Sequence, residues 1–549
     1  LDISNSAGVG ISSGGNMQSI TGVLTPAAGI LTTNGNLTLK SSNTGTARVA
    51  TASGGTISGD VTVERYFPTD KRAWRLVTAP VSGSSNNSIY YNWQNNGTVI
   101  AGTGVEIWKP NGGDGLASGP GYSMRSWNND PSNPAFVNVE NTQSTSLFST
   151  NSNPESYFLF VSGHFGSGRI GSGTPGGITT KAKGALRQGI QTFSLSATAD
   201  KFYLVGNPYA SPVDIGASGL MNNVKNSIWM WDPNLSGAYG VGGYVSFDLT
   251  TKQYSVTGTY LNSPYTRLQS GQAFFVQAAT TGTVSVNFTE STKGGNDNGN
   301  VFRNTNEFVA EKLRVTLQRN FSTEYITTDG AMGIFYEEGA KEINEMDGVK
   351  MMNAANNLMF RRNGINLTFE HRPLVQDDDT LFLNLRSTSA GAYRLLLQGS
   401  DFDNRRNLEA FLQDAYLDRE EALKLDTTVS YDFTVDANAA SSGERFRIVF
   451  RKKAIPPPVE VGTDFSVYPN PVRSGENLSL KFRNRETGKY TVAIYNMQGI
   501  QVQQQVLLHG GGSSVHNIAL NTGLPAGTYL VQVLDGSAKK IDALKFNVQ

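Results

Sequence analysis

Turn-forming residues recur along this chain at short intervals, and this spacing constrains the secondary structure that it can form. Of its 549 residues, 60 are glycine, and turn pairs such as Asn96-Gly97 and Asp114-Gly115 separate short apolar runs. Charged residues make up only 16%, against about 25% in typical globular proteins. Many short strands joined by tight turns suit this composition. The sequence therefore predicts an all-β protein and favours an extracellular protein over a cytosolic enzyme.

The composition also excludes several classes of function. The chain has no cysteine, so it has no disulfide framework, thiolate nucleophile or cysteine-based zinc site. Lys+Arg and Asp+Glu both number 45, and this zero formal net charge predicts no nucleic-acid partner. No apolar run approaches the roughly 18 residues of a membrane-spanning helix. At roughly 100–200 residues per domain, we expect three to five domains.

Residues 1–65 contain very short apolar runs that recur about every ten residues. The runs are residues 20–24, 29–32, 36–39, 47–49, 56–57 and 61–63. Each is too short for an ordinary sandwich strand, whereas a parallel β-solenoid uses short strands and tight corners. We predict a β-solenoid-like end or cap, and the alternative is a Gly/Ser-rich loop region with two hairpins.

Two longer β regions follow. Residues 66–292 are predicted to form a β-sandwich region of one or two domains, in which residues 284–288 alternate strictly between polar and apolar. Residues 304–454 are predicted to form a further β-sandwich domain. Within it, residues 408–412 show no convincing period, and we expect a helix or a structured loop there.

Three consecutive prolines, Pro456, Pro457 and Pro458, mark the clearest boundary in the chain. They predict a stiff, extended linker over residues 455–464. Residues 465–549 follow with about seven short strands, which is typical of an Ig-like β-sandwich. Two hairpins are predicted in this tail, residues 490–495 with 500–506 and residues 529–534 with 541–548.

Candidate metal and catalytic residues are few. The four histidines, His164, His371, His509 and His516, show no short metal-binding spacing, so a histidine site would need long-range convergence, and we expect none. Three acidic turns are weak candidates for structural calcium: Asp377–Asp379, Asp114 and Asp130. Neighbouring carboxylates on a strand point to opposite faces, which favours solvated turns over chelation. We therefore predict no cofactor and no catalytic residue.

Trp93, Trp108 and Trp127 lie in a segment rich in aromatic and amide side chains. If exposed, their rings would form a sugar-stacking platform on the first sandwich. Buried tryptophans are common in sandwich cores, which is the alternative. We therefore predict Trp93, Trp108 and Trp127 as candidate glycan contacts.

The tail resembles the type A C-terminal sorting domain of proteins that the type IX secretion system of Bacteroidota exports. The resemblance rests on the opening 468–472, the central run 488–499, the run 524–531 and the terminal basic and aromatic stretch. The matching residues are Tyr468, Pro469, Asn470, Pro471, Gly488, Tyr490, Gly499, Gly527, Tyr529, Lys539, Lys540, Lys545, Phe546 and Val548.

This resemblance implies an Ig-like sandwich that the secretion machinery recognises, including an outer-membrane β-barrel shuttle protein and the translocon. It implies export across the outer membrane to the cell surface or medium. In such proteins a surface protease usually removes the tail, and the cargo is released or anchored to lipopolysaccharide. Contact through the terminal strand and the basic Lys539-Lys540 loop is the expected mode of docking, by strand addition or by loop insertion.

The body resembles the long uncharacterised regions that precede such tails in large surface proteins, many of which are adhesin-like. Residues 61–66, 72–75, 206–209 and 270–275 carry this resemblance. Together with the absence of catalytic motifs, it favours a non-enzymatic adhesin-like protein. The alternative is a secreted glycan-binding or glycan-degrading protein. Because the chain starts Leu1-Asp2-Ile3 without a leader, we expect a larger precursor whose upstream part would carry any catalytic domain.

Overall fold

The computed structural model describes the chain except residues 68–71, 84–85, 149–154, 164–176, 218, 236–241, 257–266, 295–309, 323, 403–407 and 453–464. The chain divides into two compact units, Leu1–Lys452 and Lys453–Gln549. In the described residues nearly all regular structure is β. The exceptions are one α-helical turn, Ile89–Asn92, and the 3₁₀ turns Asn95–Gly97, Glu290–Thr292 and Ala439–Ser441. None of these is long and apolar enough to cross a membrane.

The first unit begins with a three-rung parallel β-solenoid. Its strands are β1 (Asp2–Ile3), β2 (Val9–Gly10), β3 (Gln18–Ile20), β4 (Val23–Pro26), β5 (Gly29–Thr32), β6 (Leu37–Leu39), β7 (Ser41–Ser42), β8 (Gly45–Thr46), β9 (Arg48–Val49), β10 (Gly55–Ser58) and β11 (Asp60–Phe67). Parallel pairing stacks β1-β4-β9, β2-β5-β10 and β3-β6-β11 as three faces, and β7 and β8 pair antiparallel as a hairpin outside these faces. Buried Leu24, Leu31 and Leu37 line its interior. The predicted solenoid is confirmed.

Side-chain amides hold a corner of the solenoid between rungs. Asn34 donates to the Ile11 carbonyl (2.7 Å) and Asn36 to the Ser12 carbonyl (2.8 Å). Asn34 adopts a φ of +48°, a left-handed conformation that asparagine tolerates better than most residues. The Asn- and Gly-rich corners therefore satisfy backbone groups that such short strands leave unpaired.

Eight further strands extend this core. They are β12 (Ala73–Thr78), β13 (Val81–Ser82), β14 (Trp108–Lys109), β15 (Ala117–Ser118), β16 (Met124–Asn128), β17 (Ala135–Asn138), β18 (Ser156–Val161) and β19 (Ile178–Leu186). β19 pairs antiparallel with β11 along eight residues, so it continues the third face of the solenoid. A second sheet has the order β12-β18-β16-β17. One apolar cluster includes residues from Ile3 to Leu186, together with Ala210, so the solenoid and these strands share a core.

The next ten strands form a two-sheet sandwich. They are β20 (Gln191–Ala197), β21 (Phe202–Gly206), β22 (Val213–Asp214), β23 (Met221–Asn222), β24 (Val224–Asp232), β25 (Gly243–Asp248), β26 (Gln253–Tyr254), β27 (Arg267–Leu268), β28 (Ala273–Ala278) and β29 (Gly282–Phe288). Its main sheets are β20-β29-β23 and β21-β28-β24-β25-β26. Buried Asn207, after β21, donates to the carbonyls of Ser211 (2.9 Å) and Gln269 (3.1 Å) and accepts from the Tyr209 amide (3.0 Å). Through these hydrogen bonds, the asparagine of the Gly-Asn-Pro-Tyr motif links the loop after β21 to the loop after β27.

One large curled sheet forms the last part of the first unit. Its strands are β30 (Glu311–Phe321), β31 (Glu324–Phe335), β32 (Gly348–Val349), β33 (Asn357–Arg362), β34 (Ile365–Arg372), β35 (Thr380–Arg386), β36 (Gly391–Ser400), β37 (Leu408–Asp414), β38 (Arg419–Leu423), β39 (Thr428–Val435) and β40 (Phe446–Lys452). The order is β38-β37-β40-β35-β33-β34-β31-β30-β36-β39, and β32 pairs with β34. Residues 408–412 lie in β37, so the expectation of a helix or loop there is wrong. Their alternating burial fits a strand with one buried face.

A buried ion pair lies at one end of this curled sheet and is contacted from the other end. Arg445 donates to both oxygens of Asp414 in β37 (2.7 and 2.6 Å), and both side chains are 1% exposed. The hydroxyl of Tyr431, in β39 at the other end of the sheet order, also donates to Asp414 (2.9 Å). Burial alone would raise the pKa of Asp414, but the hydrogen bonds from Arg445 and Tyr431 outweigh it and lower that pKa.

The second unit is an antiparallel two-sheet sandwich of seven strands. They are β41 (Phe465–Tyr468), β42 (Asn477–Arg485), β43 (Gly488–Asn496), β44 (Gln501–His509), β45 (Gly512–Ala519), β46 (Gly527–Leu534) and β47 (Lys540–Val548). The sheet orders are β41-β42-β45 and β44-β43-β46-β47. Both predicted hairpins, β43-β44 and β46-β47, are present. The predicted linker 455–464 lies outside the described residues.

Replacing Asp414 with Asn should destabilise the curled sheet by about 3–5 kcal/mol, because it leaves the buried Arg445 charge without a counter-ion. Urea unfolding of the full chain, with hydrogen exchange of peptides from β37 and β40 as the readout, measures this change. Glu420→Gln is the matched control: Glu420 also binds an arginine, Arg451, through both oxygens, but both side chains are partly exposed. Equal effects of the two substitutions would contradict the assigned importance of burial.

Candidate functional site

The opening motif of the tail lies against its last strand. The Asn470 side chain accepts a hydrogen bond from the Asn547 amide (2.8 Å) and donates one to the Lys545 carbonyl (3.4 Å). The Val472 amide then donates to the Asn547 carbonyl (2.8 Å), and the Val472 carbonyl accepts from the Gln549 amide (2.9 Å). Residues 470–472, here called the edge cap, thus pair with the C-terminal end of β47. The two ends of the sorting signature form one structural element.

The remaining signature residues divide between surface and core. Tyr490, Tyr529, Phe546 and Val548 are buried in the sandwich, and Tyr468, Pro469, Asn470, Pro471, Lys539, Lys540 and Lys545 are exposed. Gly499 ends the β43-β44 turn with a φ of +79°. Gly488 and Gly527 are the first residues of β43 and β46.

Two Gly-x-Tyr motifs start the two central strands of the four-stranded sheet. The Tyr490 hydroxyl donates to the Glu486 carbonyl (3.0 Å) and the Tyr529 hydroxyl to the Pro525 carbonyl (2.8 Å). In each case the acceptor lies four residues before the tyrosine. Each buried ring thereby holds the chain that enters its strand. The same contact, called a tyrosine corner, occurs in immunoglobulin-type sandwiches.

The last strand lies at the end of its sheet, next to a basic turn. The Asp535 carboxylate accepts hydrogen bonds from the amides of Ser537 (2.9 Å) and Lys539 (3.0 Å), and the Asp535 amide donates to the Lys539 carbonyl (3.0 Å). These contacts shape the turn and leave the side chains of Lys539 and Lys540 exposed. The site therefore combines two cations with a sheet edge that the edge cap covers only at residues 545–549.

Two histidines of the tail meet between the sheets, which the sequence spacing did not predict. His509 Nδ1 lies 3.1 Å from His516 Nε2, and Ser514 Oγ lies 3.0 Å from both nitrogens. Burial and the neighbouring His509 lower the pKa of His516. The sequence feature that indicates this contact is the presence of one histidine on each side of a triple-glycine turn between two strands.

The structure places two of the predicted glycan-contact residues in the core. Trp93 and Trp108 are 4% and 6% exposed. The Trp93 ring meets Tyr157 edge-on and the Trp108 ring meets Phe160 edge-on, with centroid distances of 5.8 and 5.7 Å. Because a sugar needs an open ring face, the prediction that they stack on a glycan is wrong.

Trp127 is partly buried and is held by its neighbours. Phe136 and Phe275 pack edge-on against its ring at 4.7 and 4.8 Å, and its indole N–H donates to the Phe202 carbonyl (3.2 Å). This residue therefore packs against an apolar cluster of the body that includes Phe158 and Trp229. With Trp93 and Trp108 buried, the proposed three-tryptophan platform does not form.

The three acidic turns engage their carboxylates with protein groups. Asp114 binds Lys109 (2.9 Å), and Asp130 accepts hydrogen bonds from the amides of Ser132 (2.7 Å) and Asn133 (3.3 Å). In the Asp377–Asp379 run, Asp379 accepts from the Gln376 amide (2.7 Å) and contacts Arg372 (3.2 Å). Among the described residues, no three or more His, Asp or Glu side chains are grouped to hold a metal ion.

The histidine of the body that the structure describes, His371, is inaccessible. Its Nε2 lies 2.8 Å from Asp248, and the two side chains are 1% and 0% exposed. Asn226 also donates to Asp248 (2.7 Å), and Asp347 accepts from the His371 amide (2.9 Å). Because this pair is buried, it serves as a structural link between β25 of the β20–β29 sandwich and β34 of the curled sheet.

Comparison with known protein families assigns the class of the protein. A family model described as a secretion system C-terminal sorting domain matches residues 466–545. The protein is therefore type IX secretion cargo that is exported to the cell surface. A second model, described as a domain of unknown function (DUF8693), matches residues 1–450, and the chain belongs to this family. No curated protein matches the chain.

Two solved structures show only distant similarity. One is PorZ, a surface component of the type-IX secretion system of Porphyromonas gingivalis, with 12% identity and a TM-score of 0.13. That match covers 78% of this chain and 51% of PorZ, so the chain spans about half its length. The other is the BSP domain of a biofilm associated protein, with 9% identity, a TM-score of 0.12, and 65% and 81% coverage. TM-scores this low define no shared fold.

Replacing Asn470 with Ala should release the end of the last strand. Two hydrogen bonds to β47 are lost, and we expect a loss of about 1–2 kcal/mol in tail stability because the site is solvent-exposed. Hydrogen exchange of the C-terminal peptide of the full chain should become faster at Asn547. Ser479→Ala is the control, since it removes an exposed hydrogen bond to Asn517 in the other sheet. Unchanged exchange at Asn547 would contradict the role assigned to the edge cap.

Proposed function

We propose that this protein is a non-enzymatic, adhesin-like surface protein whose Ig-like tail docks to an outer-membrane β-barrel shuttle of the type IX secretion system. Docking uses the free part of the β47 edge and the Lys539-Lys540 turn. The observation that carries the proposal is the position of β47 at the end of its sheet, with the edge cap covering its C-terminal part alone.

Backbone contacts support strand addition at this edge. The Asn547 amide and the Lys545 carbonyl point away from β46, since they bind Asn470. Outward-pointing backbone groups alternate along a strand, so Ala543 also presents its backbone outward. Its amide is bonded to the adjacent Asp542 carboxylate (2.7 Å). A partner strand would replace that local contact and continue the sheet.

The lysine side chains next to the β47 edge would orient an acidic partner as it binds. Lys539, Lys540 and Lys545 are exposed. Exposed cations around an apolar or backbone-mediated contact raise the association rate and favour an acidic partner surface. We propose that the shuttle presents acidic groups around the rim that receives the tail, and that the same contact delivers the cargo to the translocon.

The body supports a binding role rather than a catalytic one. Its described polar clusters, such as Asp248 with His371 and Asp329 with Lys350, are 2% exposed or less and hold strands together. Stacked parallel coils and packed sandwiches present large surfaces on a rigid scaffold. The proposal leaves the ligand open to surface glycans, including lipopolysaccharide, or to protein.

The double substitution Lys539→Glu/Lys540→Glu should weaken capture of the intact chain by the shuttle at least tenfold and cause it to accumulate in the periplasm. Co-purification of outer-membrane β-barrels with the chain, together with cell fractionation, measures both effects. Lys481→Glu/Arg483→Glu is the matched control, because it reverses two charges on β42 in the other sheet. Normal export of the first variant would overturn docking through the basic turn.

A proline at position 543 separates strand addition from loop insertion. Ala543→Pro removes an outward amide while leaving the inward hydrogen bonds of β47 to β46 in place. Strand addition predicts loss of shuttle binding with an unchanged melting temperature. Loop insertion predicts binding equal to that of the wild type, and that result would exclude the edge as the docking element.

The adhesin-like role predicts that cells without this protein attach less. In a flow chamber, deletion of the gene should lower surface or cell–cell attachment, and the wild-type chain should restore it. The Lys539→Glu/Lys540→Glu variant should not restore it, because its body is not displayed. Equal attachment of deleted and wild-type cells on glycan-coated, protein-coated and cell-covered surfaces would contradict this role.

A further inference from the structure

The two tail histidines lie where the chain crosses from one sheet to the other. His509 is the last residue of β44 in the four-stranded sheet, and His516 lies in β45 of the three-stranded sheet. Gly511 and Gly512, with φ of +91° and +78°, make the crossing turn. These left-handed conformations suit glycine, and they bring the two imidazoles together from opposite sheets.

The hydrogen bonds of His509 determine which of its nitrogens is free. Its Nε2 lies 3.2 Å from the Gly512 carbonyl, which can only accept, so Nε2 carries the proton. Its Nδ1 therefore presents a lone pair toward His516 and Ser514. Metal-binding histidines in proteins are held in the same way, with the second ring nitrogen donating to a backbone carbonyl or carboxylate.

The separation of the two nitrogens fits chelation. With Zn–N bonds of about 2.0–2.1 Å in tetrahedral geometry, two imidazole nitrogens lie about 3.3 Å apart. His509 Nδ1 and His516 Nε2 are 3.1 Å apart, so a shift of a few tenths of an ångström admits an ion. Ser514 Oγ, at 3.0 Å from both, is placed to contact the ion or its bound water.

The surroundings hold the ligands and leave a route for the ion. Phe482 packs against both imidazoles with centroid distances of 4.8 Å, and Tyr490 packs against His509 at 5.8 Å. His509 is 3% exposed, whereas His516 is only partly buried. The aromatic rings pack against the imidazoles, and the partial exposure of His516 gives solvent access to the pair.

We propose that His509 and His516 form a two-imidazole site for a divalent transition-metal ion, with Ser514 and water as further ligands. The bound ion links the two sheets of the tail through one side chain from each. The site does not depend on the proposed docking function. Imidazole nitrogens select Zn²⁺, Co²⁺, Ni²⁺ or Cu²⁺ over the hard cations Ca²⁺ and Mg²⁺.

Titration of the intact chain with Zn²⁺ or Co²⁺ chloride tests the site. Calorimetry should show one Zn²⁺ per chain, and Co²⁺ should give d–d absorption, whereas Ca²⁺ and Mg²⁺ should give neither signal. His516→Gln should weaken Zn²⁺ binding at least tenfold, because one of two strong ligands is lost. Ser514→Ala should change it by no more than a few-fold.

His164→Gln is the matched control, since it removes one imidazole from the body and should leave Zn²⁺ affinity unchanged. His509→Gln should behave as His516→Gln. If the buried His509 variant fails to fold, as circular dichroism would show, the partly exposed His516 decides the result. Absence of Zn²⁺ binding at 1 mM in the wild type, or wild-type affinity in His516→Gln, would overturn the proposal.

Discussion

This structure depends on one constraint: the backbone amides and carbonyls at the edges of the sheets need hydrogen-bond partners. A chain whose regular structure is almost wholly strand leaves a row of such groups at every sheet edge, and each row must be paired, covered or exposed to solvent. In the first unit, β19 covers β11 at the end of the solenoid, and the curled sheet brings Tyr431 of β39 to Asp414 of β37. In the tail, the edge cap covers residues 545–549 of β47. The uncovered remainder of that edge is the part that we assign to docking.

Amide side chains substitute for backbone where no strand is available. Asn34 and Asn36 link successive rungs of the solenoid, Asn207 cross-links two loops, and Asn470 pairs with β47 as another strand would. An amide carries both a donor and an acceptor, as a peptide group does, so it can continue a hydrogen-bonded ladder. This property gives a structural reason for Asn207 in the Gly-Asn-Pro-Tyr motif of the body and for Asn470 in the opening motif of the tail.

Local pattern predicted much of the fold but little of the site. The β class, the solenoid, the tail hairpins and the sorting tail follow from short-range alternation, turn residues and motif order. The strand at residues 408–412 was missed because its residue types do not alternate between polar and apolar. Its alternating burial arises from pairing with β38 and β40. The exposure of Trp93 and Trp108 was mispredicted because a sandwich core and a sugar platform use the same residue type. The pairing of His509 with His516 depends on a crossing between sheets that no spacing encodes.

The sequence by itself determined the export route, because a sorting tail is recognised by a compact set of residues in a fixed order. It also determined most of the secondary structure, because turn residues and apolar alternation act over a few positions. Only the tertiary structure decided which residues of the chain are exposed at its surface and which are buried. Asn470 and Asn547 are 77 positions apart, and their contact exists because the sandwich brings the first and last strands together. Burial and edge exposure depend on such distant contacts. For this reason the proposed docking edge, the buried tryptophans and the histidine pair can be recognised only in the folded chain.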